Sequence, residues 1–421
     1  MRVLVVAVGS RGDVAPCAGL GQALSAAGHS VTVAAYQMFS ELVTGSDLGF
    51  RALPGDPRLL DAAQWEHGST GPLGTIRLLR LTADHLRQLH AGMLEAARQD
   101  TDVLLLQGIS AIGGYHIAEG LGLPSMGLGL QPIYPTREFP PSTVTARSLG
   151  PFGNRAVGQA LVALGAPVLA GPVKEVRAEL GLPRLGTWQA VFGQQAAARW
   201  PAFHGFSPSV VPRPADWREG LEVTGYWWPP RPPGWRPPAR LERFLADGPP
   251  PVFVGFGSMA SADPARLSEI VATAGQQAGV RLVIQAGQAG LAQAGHAQAG
   301  QAPRDSILIG DVPHDWLFPQ LAAVVHHAGA GTTGAALRAG VPAVTVPKVG
   351  DQPFWAARLA ALGAAPPPVP YKHLSAAALT AAIREATTRP SYRARAQALA
   401  GRLAGEDGTR PVVEAVSRLR Q

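Results

Sequence analysis

Residues 227–238 read Trp-Trp-Pro-Pro-Arg-Pro-Pro-Gly-Trp-Arg-Pro-Pro, six prolines in twelve positions. Proline lacks a backbone N–H and fixes φ, so this density excludes a helix interior or a central strand. The segment predicts an extended, semi-rigid connection that divides the 421-residue chain into two blocks. Each block alternates short apolar runs with helical patterns. The first has Val/Leu-rich runs at 3–8, 30–35, 102–107 and 124–130, with helices at 16–27 and 116–120; the second has runs at 252–256, 281–285, 306–309, 322–325 and 343–346. Continuous apolar strands separated by helices predict parallel sheets covered on both faces. The expected fold class is α/β, two doubly wound Rossmann-like domains facing a central cleft, with ligands at the carboxyl ends of the strands. The expected boundaries are a first domain over 1–215, a linker over 216–250, a second domain over 251–404 and a C-terminal helix over 405–421. That helix carries Val412, Val413, Val416 and Leu419 on one face.

Composition narrows the class. The chain is 46% hydrophobic and 15% charged, which is globular and not disordered. No apolar run reaches the roughly 18 residues needed to span a bilayer. The apolar start at 1–8 runs into Gly9-Ser-Arg-Gly-Asp13 without a small-residue cleavage site, so it reads as a buried strand and not as a signal segment. The lone Cys17 excludes an intramolecular disulfide and fits a cytoplasmic location. The net charge of +7 comes from arginine, since only Lys174, Lys348 and Lys372 are lysines. The arginines are scattered and form no block, which argues against nucleic acid as a partner. The positive charge leaves peripheral contact with an anionic membrane surface open.

The densest chemistry lies at 323–355. An apolar run enters His326-His-Ala-Gly-Ala-Gly-Thr-Thr333, a second ends at Pro347, and Asp351-Gln352 follows. A glycine turn opening a helix aims backbone N–H groups and a helix's positive end at one spot, which suits a phosphate or diphosphate. Gly329 and Gly331 let the backbone approach the anion, and His327 and Thr332 add side-chain donors. His327 is favoured over His326 because it abuts the turn. The same residues also spell Gly329-x-Gly331-x-x-Gly334 with Asp351 twenty residues after Gly331, a dinucleotide fingerprint. Against it, Asp351 lies beyond the strand tip, two histidines precede the first glycine, and the helix is short.

Four segments together resemble the GT-B glycosyltransferases of family 1, particularly the bacterial branch acting on glycopeptides, macrolides, polyketides and sterol-like acceptors. They are Gly9-Ser-Arg-Gly-Asp-Val14, Gly255-Phe-Gly-Ser-Met259, Asp311-Val-Pro-His-Asp-Trp-Leu317, and the 326–333 turn with Asp351-Gln352. The resemblance covers nearly the whole chain. It implies a UDP- or dTDP-sugar donor in the second domain, a small hydrophobic acceptor in the first, and inversion at the anomeric carbon with no cofactor or metal. By resemblance, Ser258, His327, Gly329, Gly331, Thr332 and Thr333 meet the diphosphate. Val312 and His314 meet the nucleobase or ribose, and Asp351 and Gln352 the sugar. Ser10, Arg11 and Gly12 line the acceptor side of the cleft, and Asp13 is the general base. Many relatives place a tryptophan before the Val-Pro pair where this chain has Asp311, which leaves uracil against thymine open.

Two of these residues have ordinary structural alternatives. Asp13 also suits capping of the helix that follows it, and Asp351 suits a helix N-cap. The acceptor walls are expected from the proline-broken loop 131–141 and from 64–90, including Trp65. Residues 285–302, rich in Gln, Ala and Gly, read as a surface loop. The competing functions are a nicotinamide-dependent oxidoreductase and a non-catalytic glycosyltransferase-like partner protein. Monomer and homodimer both stay open.

Overall fold

The computed structural model describes residues 1–55, 71–257, 261, 263–287, 291 and 305–420, with backbone alone for 71–80. Ser258, Trp65 and most of the 285–302 stretch lie outside the described residues.

Seven parallel strands form the first sheet: β1 (Arg2–Val6), β2 (Ser30–Tyr36), β3 (Gly49–Leu53), β4 (Val103–Gln107), β5 (Ser125–Gly129), β6 (Ala202–His204) and β7 (Leu221–Val223). Their order is β3-β2-β1-β4-β5-β6-β7. The second sheet has β8 (Val252–Gly255), β9 (Leu282–Gln285), β10 (Ser306–Ile309), β11 (Ala323–His326) and β12 (Ala343–Thr345), in the order β10-β9-β8-β11-β12. All pairings are parallel. Both orders reverse direction once, between β1 and β4 and between β8 and β11. At such a point the helices on either side diverge and leave a crevice at the strands' carboxyl ends. The doubly wound expectation therefore holds, and it fixes where ligands can enter.

The strand cores explain the pairing. Val3, Leu4, Val5 and Val6 of β1 and Val103 to Leu106 of β4 are all at most 2% exposed, as a strand covered on both faces demands. A separate cluster joins Phe206, Val211, Trp217 and Tyr226 of the first block to Ala328, Leu337, Trp355 and Leu403 of the second. The two domains thus share a packed apolar seam and meet through more than their linker.

Several expectations about the linker are corrected. β7 falls inside 216–250, where it is the last strand of the first sheet and so needs few ladder bonds. A helix also forms at Ala239–Ala246 just past the last prolines, with Leu241 buried beneath the second sheet. Proline tolerates the position before a helix because the first-turn N–H groups have no intrahelical acceptors. The final helix, Arg410–Arg418, returns to the first domain: Val412 and Val416 join the core of β1, and Arg420 donates to the Gly28 carbonyl.

The bilayer expectation also changes. The helix Gly150–Glu179 is long and apolar enough, by length and composition, to cross a membrane, with a mean hydropathy of 1.6 over its best 18 residues. Here one flank packs within the first domain. Ala166, Ala170 and Val173 meet Ala190 and Val191, while Asn154 and Arg177 are buried and hydrogen-bonded near its ends.

Candidate active site

The first crevice opens beside β1. The helix Arg11–Ala26 begins five residues earlier than the pattern at 16–27 indicates, because Ser10 caps it. Ser10 N–H and Oγ donate to Asp13 Oδ2 at 2.7 and 3.0 Å, and Gly12 N–H donates to Ser10 Oγ at 3.2 Å. Asp13 therefore does take part in capping, as the reciprocal third residue of a capping box. That leaves Ser10 and Gly12 engaged in the turn itself. Gly9 closes the turn at φ +138°; a Cβ there would lie 2.3 Å from Asp13 Oδ2, so only glycine lets the carboxylate sit in this place.

Asp13 is not used up by capping. Its Oδ1 accepts from Gln107 Nε2 at 3.0 Å, reaching across to the end of β4. Burial pushes its pKa up, Ser10 and Gln107 pull it down, and the negative charge of Asp351 across the cleft pushes it up again. The net direction is upward. Gln107 was not anticipated: a glutamine ending an apolar strand 94 positions away carries no sequence signal. Only the parallel pairing of β1 with β4 brings it here.

The second crevice opens beside β8 and β11. His326 ends β11 fully buried, and its Nδ1 accepts the Ala328 N–H at 3.1 Å. That bond holds Ala328 in a left-handed conformation, φ +64°, at a cost of about 1 kcal/mol or more for a non-glycine residue. His326 thus shapes the turn. His327 emerges from it half-buried between two glycines. A Cβ on Gly329 would come within 2.6 Å of its Nε2, and one on Gly257 within 2.9 Å of its Cε1. Its Nδ1 is buried without a hydrogen-bond partner among the described residues, and burial lowers its pKa to about 4. At neutral pH it is an uncharged donor.

The helix Ala330–Arg338 starts at Gly329 with no side-chain cap and no acid in its first turn. Its leading N–H groups thus remain for a ligand. Thr332 is half-exposed beside them, and Gly331 is exposed. Thr333 is fully buried, and its Oγ1 has no hydrogen-bond partner among the described residues.

Asp351 and Gln352 sit where the next helix, Gln352–Ala361, begins. Asp351 makes no N-cap bond. Its Oδ2 accepts the buried Trp355 indole N–H at 2.7 Å; burial pushes its pKa up, while the Trp355 N–H and the polar side chain of Gln131, just beyond β5, pull it down. Gln352 is half committed, since its Oε1 accepts the N–H groups of Lys348 and Val349 at 2.8 and 3.1 Å. Its amide nitrogen is the end left for a ligand.

The nucleobase expectation fares unevenly. Val312 is buried, and His314 stacks on Phe318 at 4.2 Å between ring centres. Arg11, expected on the acceptor side, instead reaches Asp311 of that loop, at 3.6 Å, across the cleft. The acceptor-wall loop 131–141 is held by Asp216, which accepts from Thr136 Oγ1, Arg137 N–H and Arg155, and its Phe139 ring meets Phe354 of the second domain at 5.4 Å. Geometry counts against the fingerprint reading: Asp351 lies six residues past the end of β12, and a Cβ on Gly334 would meet the Tyr226 ring.

Burial gives the protein an acid-side weakness. His90, His204 and His314 are lowered to about 4 and His326 to about 3 by desolvation, alongside His327. Each takes up its proton in the unfolded chain near 6.5 but resists it when folded. Stability is full above that value and is lost as pH falls toward 4. The raised carboxyls of Asp13 and Asp351 oppose this, but they are two against five and titrate from a lower starting point. The thermal midpoint is expected to fall steadily between pH 7 and pH 5, as scanning calorimetry would record; a flat profile would contradict the burial of these imidazoles.

Known proteins resemble this arrangement over its full length. Residues 289–419 match the family model described as erythromycin biosynthesis protein CIII-like, C-terminal domain. The chain is 33% identical over 419 residues to O-mycaminosyltylonolide 6-deoxyallosyltransferase of Streptomyces fradiae, covering 97% of this chain and 95% of that protein. It is 31% identical to a sterol 3-beta-glucosyltransferase of Arabidopsis thaliana, covering 99% of this chain and 65% of the plant protein. Among solved structures, the glycosyltransferase VinC in complex with dTDP superposes with a TM-score of 0.68 at 20% identity, covering 99% of both chains.

Proposed function

Because this chain belongs to the GT-B glycosyltransferases of family 1, we propose that it moves a sugar from a UDP- or dTDP-sugar to a hydroxyl of a small hydrophobic acceptor, inverting the anomeric carbon without a metal ion. Macrolide-type polyketides and sterols are the acceptor classes that the relatives' names suggest. The observation that carries this reading is the pairing of the two crevices: a hydrogen-bonded carboxylate at the end of β1 faces an uncapped helix N-terminus at the end of β11.

The proposed reaction runs between the two crevices. The acceptor oxygen attacks the anomeric carbon from the first-domain side while its proton passes to Asp13. The bond from the anomeric carbon to the diphosphate oxygen breaks, and the electron pair leaves with the nucleotide. The negative charge that develops on that oxygen lies at the Ala330–Arg338 helix N-terminus and beside His327. Fixed donors of this kind stabilise a leaving anion without reorganising. Asp351 and the Gln352 amide take sugar hydroxyls. An Asp of ordinary pKa is a weak base toward an alcohol. Burial and Asp351 make Asp13 a better one.

Retention of Asp13, His327 and Asp351 with these contacts disfavours a non-catalytic role. Calorimetric titration with UDP, dTDP and NAD, without added metal, tests the donor side. UDP or dTDP is expected to bind and NAD not to. Binding of NAD alone would sink the reading.

A further inference from the structure

We propose that Gln107 is a positioning residue that keeps Asp13 ionised and aims one lone pair of its Oδ1 into the cleft. The inference rests on the reading of Asp13 as the general base and adds what holds that base in its working state.

The geometry is over-determined. Gln107 is the last residue of β4 and only 3% exposed. Its Oε1 accepts the Val8 N–H at 3.2 Å, which settles which way the amide faces. A backbone N–H needs an oxygen opposite it, so the NH₂ end must point at Asp13, where it donates to Oδ1 at 3.0 Å. The Gln107 main chain is itself pinned, because Ser110 Oγ donates to its carbonyl at 2.9 Å. Ser10 supplies both donors to Oδ2. Three donors from two elements therefore fix the plane of the carboxylate and occupy three of its lone-pair directions. The open one is on Oδ1.

The charge balance gives Gln107 its purpose. Asp351 faces Asp13 across the cleft, and Cys17 lies one turn along the same helix with its thiol pushed up and uncharged. The nearby cation Arg11 is turned to Asp311. Burial and Asp351 both favour a protonated Asp13, which would be no base. Hydrogen-bond donors and the N-terminal end of its own helix oppose them, and Gln107 is the donor that comes from outside the Ser10 turn. Being an amide, it cannot take the proton onward, so the proton taken from the acceptor stays on Asp13.

Two variants test this. Gln107→Glu keeps an acceptor for Val8 N–H but replaces the donor with a carboxylate; Gln107→Met removes both ends at similar length. The Asp13 carboxyl is titrated by isotope-edited infrared difference against Asp13→Asn, and kcat/KM is followed against pH. In both variants the carboxyl titration and the acid limb of kcat/KM are expected to move to higher pH, further for Glu. One pH unit below the wild-type limb, kcat/KM falls roughly tenfold or more, with the donor KM little changed. A carboxyl titration that stays put in both folded variants overturns the proposal. Should the carboxyl move while the rate profile does not, Gln107 still holds Asp13 and it is the base assignment that fails.

Discussion

Asp13→Asn is expected to cost roughly 10²–10⁴-fold in kcat, the usual contribution of a positioned general base, while nucleotide binding in the other crevice persists. The substitution is isosteric but not silent. Asparagine offers one oxygen, and the Ser10 N–H and Oγ both need it at the Oδ2 position. Its NH₂ then faces the NH₂ of Gln107, which the Val8 N–H prevents from turning. One donor is left without an acceptor, at about 1–3 kcal/mol. A lower thermal midpoint should therefore accompany the lost rate. Calorimetric titration with dTDP or UDP separates the two effects: retained binding with absent turnover assigns the loss to chemistry. Turnover near the wild-type rate would remove Asp13 from the mechanism and leave it a capping residue.

What the sequence disclosed, and what it hid, follows from range. The strand-and-helix alternation was legible because fully buried parallel strands such as β1 and β4 are continuous Val/Leu runs. The turn after β11 was legible because its glycines, histidines and threonines are contiguous. Short strands were not: β6 and β7 have three residues each, too few for any period to show. The Gly150–Glu179 helix hid behind Pro167 and Pro172, which normally break helices, yet here tertiary packing of its Ala166–Val173 flank carries it through.

Side-chain commitments were the other hidden layer. Nothing in the order of residues says that Thr333 turns inward, that Asp351 grips Trp355 instead of capping its helix, or that Arg11 crosses to Asp311. These are decided by helical phase and by partners from other elements. Gln107 is the clearest case, since its meaning exists only once β4 lies beside β1.

The two histidines of the glycine turn should part company under mutation. His327→Ala is expected to weaken nucleotide-diphosphate binding about tenfold or more and to lower kcat by roughly 10²–10³-fold, the scale of losing one fixed donor to a developing anion. Its stability should be little changed, because among the described residues the ring makes no hydrogen bond through its buried Nδ1 and leans on two glycines. The ring acts as a neutral donor, since burial holds it near 4, so the binding loss should persist unchanged from pH 6 to pH 8. His327→Gln, which restores an N–H at similar reach, should recover part of both quantities; recovery absent in Gln but present with added positive charge, as in His327→Lys, would mean that charge and not a directed donor is required. His326→Ala should do the reverse. Its Nδ1 holds the Ala328 N–H and so the strained turn, and its removal should lower the thermal midpoint first and binding only as the turn loosens. If both variants bound dTDP and UDP normally, the leaving group would have to be stabilised by the helix N-terminus alone.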